Sequence, residues 1–164
     1  MKVVLTPSEV YHGAAVGMNR RVESMRLGLK SGPVGFNSRG RWEIDLEGAL
    51  AEMAVAKGMD LYWAARVNTF KTLPDIDPYI EVRSGRPSGS MLIVRPNDHM
   101  DSAYVLAVGA APVYNILGWL WGREAMKPEF EYDKNGRAPA YFVPKTKLRP
   151  IEDLIKEVAN AKSA

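Results

Sequence analysis

A run of twenty residues, Ala103 to Gly122, carries no charged side chain, and nothing else in the chain restricts its fold as strongly. A stretch of that length suits a membrane-spanning helix. Its composition argues otherwise, because Gly109, Pro112, Asn115 and Gly118 interrupt it and its ends are rich in Val, Tyr and Trp. The pattern predicts two buried strands, Ala103–Val108 and Val113–Trp119, joined by a turn at Gly109-Ala110-Ala111-Pro112. No membrane partner is therefore expected.

The segments around this pair follow from local chemistry. Thr6-Pro7-Ser8-Glu9 is a helix start, with Thr6 as N-cap and Pro7 in the first turn. Val10, Ala14, Met18, Val22, Met25 and Leu29 then recur at threes and fours, which predicts a helix with those residues inward, ending near Gly28–Gly32. A loop over Gly32–Gly40 leads to a second helix, Trp42 to Lys57, stopped by Gly58 and kept slim by Ala49, Ala51, Ala54 and Ala56. Strands are predicted at Leu61–Asn68, Ile80–Ser84, Met91–Arg95 and Ala140–Val143, and a short helix at Arg123–Phe130. A turn falls at Asn135-Gly136, and Pro150 opens a final helix whose first turn holds Glu152 and Asp153. The central strands lie too close together for helical crossovers, so they should be largely antiparallel. The fold class is α+β, with helices flanking one mixed sheet in a single domain over residues 1–164.

The chain has 164 residues, 46% of them apolar, which is enough for one core. It has no cysteine, which removes disulfides, thiolate metal sites and cysteine nucleophiles and is compatible with a reducing cytoplasm. The N-terminal apolar run is too short for a signal peptide. Charge is uneven: residues 1–41 hold seven basic and two acidic side chains, whereas residues 42–101 hold six basic and ten acidic. A basic arm beside an acidic centre suits a metal-dependent enzyme on nucleic acid, and equally a solvated basic helix. Arg20, Arg21 and Arg26 on the first helix, and Arg86 in a glycine-rich hairpin loop, are the candidates for phosphate contact.

Chemistry concentrates in Pro74-Asp75-Ile76-Asp77-Pro78-Tyr79-Ile80-Glu81-Val82-Arg83. Alternation on a strand points Glu81 and Arg83 the same way and Val82 into the core, and a short turn brings Asp75 back beside Glu81. Two carboxylates and a cation on one edge can hold a hard divalent metal against a phosphate, or form a plain ion pair on a solvated sheet. Asp77 is the rival of Asp75 and suits a turn before Pro78. Only two histidines are present, so a histidine-built zinc site is not expected. His99, in Asn97-Asp98-His99-Met100-Asp101, reads as part of a polar loop. Tyr104, Tyr114, Trp119 and Trp121 read as core before they read as base-stacking platforms.

Pro74-Asp75, five intervening residues and Glu81-Val82-Arg83 resemble the core of the PD-(D/E)XK nuclease superfamily, in which Pro-Asp is followed by Glu, an apolar residue and Lys. Glu52, in Gly48-Ala49-Leu50-Ala51-Glu52, stands where many members carry a helical glutamate, with Glu47 as its rival. The resemblance implies a restriction-endonuclease-like core over residues 42–148, between a basic N-terminal helix and loop (1–41) and a C-terminal helix (149–164). It implies Asp75 and Glu81 as ligands of Mg2+ or Mn2+, the Val82 carbonyl completing the protein shell, and Glu52 ligating a second metal or orienting water. Arg83 takes the lysine position, where it supplies charge but cannot act as a base. More closely, Glu47–Lys57, Asp75–Ser84, Leu92–Asp101, Gly118–Pro128 and Pro139–Leu148 resemble small proteins of tailed bacteriophages and prophages, a likeness that identifies no activity. The expectation is a phage nuclease acting on DNA in the host cytoplasm, with a homodimer as a candidate assembly. The alternative is a non-catalytic DNA-binding or host-interacting accessory protein on the same fold.

Overall fold

The structure is a computed structural model that describes residues 1–29, 38–67, 72–85, 89–132 and 139–163. The uncharged run forms strands β4 (Ala103–Ala110) and β5 (Val113–Trp121), paired antiparallel. Among the described residues no helix is long and apolar enough to cross a membrane. Two further strands complete a mixed sheet, β1 (Lys2–Val4) and β2 (Ile80–Gly85), in the order β1-β5-β4-β2. The first pairs antiparallel with β5 and the second parallel with β4. The parallel pair is possible because the chain between Gly85 and Ala103 leaves the sheet altogether. It runs through β3 (Leu92–Val94), which belongs to a second, antiparallel sheet, β3-β7-β6, with β6 at Glu131–Tyr132 and β7 at Ala140–Val143. The expected α+β class and mixed sheet are present; the expected single sheet is two.

Why the run is free of charge is now clear. Ala103, Val105 and Ala107 of β4 join the core beneath helices α2 (Ser38–Gly58) and α4 (Ile151–Ser163), together with Ile116, Trp119 and Leu154. Tyr104, Leu106 and Val108 face the other way, against Leu92, Val94 and Val143 of the second sheet. Both faces are covered over Ala103–Val108, so no position in that part of β4 tolerates a charge. β5 bulges opposite Leu106/Ala107, where Gly118 adopts φ +146° and a Cβ would lie 2.5 Å from the Arg149 carbonyl oxygen.

Helix α1 (Pro7–Arg26) starts with the expected cap: the Thr6 hydroxyl accepts from Glu9 N–H, and the Glu9 carboxylate accepts from Thr6 N–H. Its orientation corrects the sequence reading. Met18, Val22 and Met25, expected inward, are about half exposed, and the buried residues are Gly13, Val16, Gly17, Arg21 and Ser24. The reason is close approach. A Cβ on Gly17 would sit 2.6 Å from the Leu46 Cα, so α1 and α2 meet through bare backbone instead of through the methionine stripe.

Residues 61–67 form no strand. Asp60 and Ala65 have φ of 54° and 51°, and the Trp63 and Arg66 side chains are committed to polar contacts described below. Arg123–Phe130 resolves into helix α3 (Gly122–Ala125) followed by a 3-10 turn at Pro128–Phe130. The Asn135-Gly136 turn and Arg86 lie outside the described residues.

Candidate functional site

β2 is an edge strand, and its edge carries the acidic cluster. Ile80 and Val82 point into the helix-side core, which leaves Glu81 and Arg83 on the opposite face. The Val82 N–H points off the sheet and is satisfied by Asp75, whose Oδ2 accepts it at 2.8 Å. Asp75 can reach it because Ile76 and Ile80 close a tight antiparallel bridge around Asp77-Pro78-Tyr79. The expected return of Asp75 to the strand is therefore what the backbone does. Asp77 faces solvent and pairs with Arg66.

The charge of Asp75 acts on two further carboxylates. One is Glu52 of α2, 5% exposed. Burial, and next the charge of Asp75, push its carboxyl up, against the pull of Arg20. The other is Glu81, pushed up to about 7, first by burial and then by Asp75. Burial raises Asp75 itself, opposed by the Val82 N–H and by Arg83, Arg20 and Arg66. Burial is the first cause at all three carboxylates. Glu47, the rival of Glu52, is turned away and accepts from the Tyr114 hydroxyl at 2.8 Å.

Three arginines contact the cluster. Arg20 of α1 forms a fork on Glu52, with Nη1–Oε1 at 2.6 Å and Nη2–Oε2 at 2.7 Å, and its Nε donates to the Arg66 carbonyl at 2.9 Å. The Trp63 indole N–H donates to the same carboxylate at 3.1 Å. Arg66 donates to the Pro74 carbonyl at 2.8 Å and to Asp77, so it brackets Asp75 from both sides in the chain. Arg83 lies 4.9 Å over the Tyr104 ring and donates from Nη2 to Asp98 at 2.8 Å. Its Nη1 is shared between Glu81 and the Val82 carbonyl at 3.4 and 3.3 Å.

Asp75, Glu81 and Arg83 thus lie along one edge, as the turn and the strand alternation predict, whereas Glu52, expected from the family resemblance, is taken up by Arg20. Of the arginines expected on phosphate, Arg20 belongs to this cluster. Arg21 is buried at 3% exposure beside Asp45, which takes it off the surface. Arg26 is exposed and paired with Glu23. The aromatic residues Tyr104, Tyr114 and Trp119 are core, as the strand pattern indicates. Sequence reasoning missed three members of the network. Trp63 and Arg66 fell in a supposed strand, and Asp98 in a polar loop. The one available signal was the density of Trp and Arg just before Pro74, in a segment whose pattern is otherwise ambiguous.

A cavity of about 90 Å³ opens beside Glu81, walled by Pro74, Pro78, Tyr79, His99 and Ser102. It has room for a few waters, which gives the carboxylate solvent access. Among the described residues no three or more His, Asp or Glu side chains form a group that holds a metal by itself. Asp75 and Glu81 are instead two hard oxygen donors beside one strand, Glu81 in a long contact with Arg83 at 3.4 Å and Asp75 accepting from the Val82 N–H. A magnesium-type ion, which keeps most of its waters, needs one or two such carboxylates. No family model, no curated protein and no solved structure matches the chain.

Proposed function

We propose that this chain is a phage-type nuclease that hydrolyses DNA phosphodiester bonds with Mg2+ or Mn2+ recruited to Asp75 and Glu81. The observation that carries the proposal is the placing of those two carboxylates at one sheet edge, with Asp75 on the Val82 N–H beside Glu81, whose carboxyl burial and then the charge of Asp75 raise. The donors fit the ion: both are carboxylate oxygens, one is partly buried beside a water-sized cavity, and both are anchored by backbone or arginine contacts. A divalent ion there would polarise a phosphoryl oxygen and acidify water.

The chain's own residues do the remainder. Arg83 presents a guanidinium held flat by Tyr104 and Asp98, suited to a phosphate oxygen and to the negative charge that grows on it. It does not accept a proton, so deprotonation of the attacking water falls to groups other than the residue at the lysine position. Asp75 keeps its place through the Val82 N–H and the Arg66 bracket, and the Val82 carbonyl faces the same edge.

The test is cleavage of single-stranded, double-stranded and branched DNA with Mg2+ or Mn2+. Asp75→Asn and Glu81→Gln should each lower the rate by at least about a hundredfold, the scale expected when several kcal/mol of charge stabilisation are lost. Cleavage that survives both substitutions removes the site. A second reading, a non-catalytic DNA-binding or host-interacting protein, is favoured by one observation: Arg20 and Arg83 already neutralise Glu52 and Asp98. Intact DNA under every metal condition, with retained DNA binding, selects it.

A further inference from the structure

A helical glutamate beside one turn and one strand carboxylate invites the assumption of two metals. The geometry argues against it. Both oxygens of Glu52 are engaged by the Arg20 fork at 2.6 and 2.7 Å, and Oε2 also accepts the Trp63 indole N–H at 3.1 Å. The pair is deep, with side-chain exposures of 15% for Arg20 and 7% for Glu52. Arg20 is held from a second direction, since its Nε donates to the Arg66 carbonyl. The charge of Asp75 also acts on its guanidinium. Withdrawing it would strand a buried carboxylate.

We infer that the cluster takes a single divalent cation, at Asp75 and Glu81, and that the Arg20 guanidinium is the fixed counter-ion of Glu52 in the place a second cation would occupy. This rests on the metal-binding reading above. Arg20 is then a positioning residue. It takes up both oxygens of Glu52 without a metal and holds α1 against α2, so that Glu52 is kept from competing for the cation at Asp75. An arginine, permanently charged and planar, does this where a lysine would not.

Mn2+ titration followed by calorimetry and by the spectrum of free Mn2+ counts the sites on the intact chain. One ion per chain is expected. Two ions overturn the inference and leave the nuclease reading standing; none overturns both. In the double variant Arg20→Met with Glu52→Leu the pair is replaced by apolar side chains, a change that buried ion pairs often tolerate. Its Mn2+ affinity should stay within about tenfold of wild type, the low end for disturbing a group that does not touch the metal. A larger loss makes Glu52 a ligand and sinks the inference. Should that variant not fold, the Trp63 indole N–H resonance, assigned with Trp63→Phe, supplies the same answer in the unaltered chain. It should hold its position when Mg2+ is added, whereas a large displacement shows Glu52 leaving Arg20 for the ion.

Discussion

Glu81 is where charge and chemistry meet. Its carboxyl is pushed up to about 7, first by burial and then by Asp75. An acid with a raised value binds its proton more tightly in the folded protein than in the unfolded chain, whose value is about 4.3. Its contribution to stability is therefore complete below about pH 4.3 and is lost as pH rises through about 7. A bound cation reverses the preference, because it favours the ionised carboxylate. Mg2+ affinity should climb with pH between about 6 and 8 and then level, with protons released on binding. Calorimetry at about pH 6.5, in two buffers of different ionisation enthalpy, measures that release. Affinity that is flat across the range would remove Glu81 from the ligands. The motif itself was legible at this scale, since Glu81, Arg83 and Asp75 are neighbours in the chain and strand alternation settles their direction. Arg20, Trp63, Arg66 and Asp98 were not, because each reaches the site through a tertiary contact that no local pattern encodes.

At the scale of elements, capping chemistry was readable and helix facing was not. Thr6 and Glu9 cap α1 through contacts within one turn, so three residues of sequence suffice. Which face of α1 turns inward depends on what α2 offers. There the two glycines win over the apolar stripe, since backbone contact at Gly17 brings Arg20 within reach of Glu52. Two glycine substitutions separate the roles. Gly17→Ala places a Cβ 2.6 and 2.7 Å from the backbone of Leu46 and Asp45, and should destabilise by about 2–3 kcal/mol, an overpacking penalty. Gly48→Ala meets nothing within 4 Å and should stabilise α2 by about 0.5–1 kcal/mol, the helix-interior difference between the two residues. Denaturant midpoints measure both. Equal effects would mean that α1 and α2 are not in close backbone contact.

Across the whole molecule, the count of 22 basic side chains overstates what is available to a polyanion. Arg20, Arg21, Arg66 and Arg83 all have acidic partners inside the fold. DNA binding should therefore depend on salt only moderately. A slope of log affinity against log salt no steeper than about −3 is expected, the value for roughly three neutralised phosphates. Filter binding or anisotropy over a salt series measures it, and a slope near −6 would show a phosphate-contacting surface that the acidic cluster does not explain. The sheet order carries a related lesson. Placing β2 at the edge exposes the backbone beside Val82, and Asp75 with Arg66 closes that edge with charge instead of another strand.

By itself the sequence determined the elements whose causes are local. These are the uncharged strand pair, the capped first helix, the α+β class and the alternation that sets Glu81 against Val82. All depend on spacing within a few residues, where sterics and hydrogen bonding act directly. The tertiary structure alone decided that β2 runs parallel to β4, that the strands divide into two sheets, that α1 turns its methionines outward, and that Arg20 sits on Glu52. Each of those outcomes is a competition between distant surfaces, settled by close packing and by pairing buried charge, and neither is written in the spacing of any one segment.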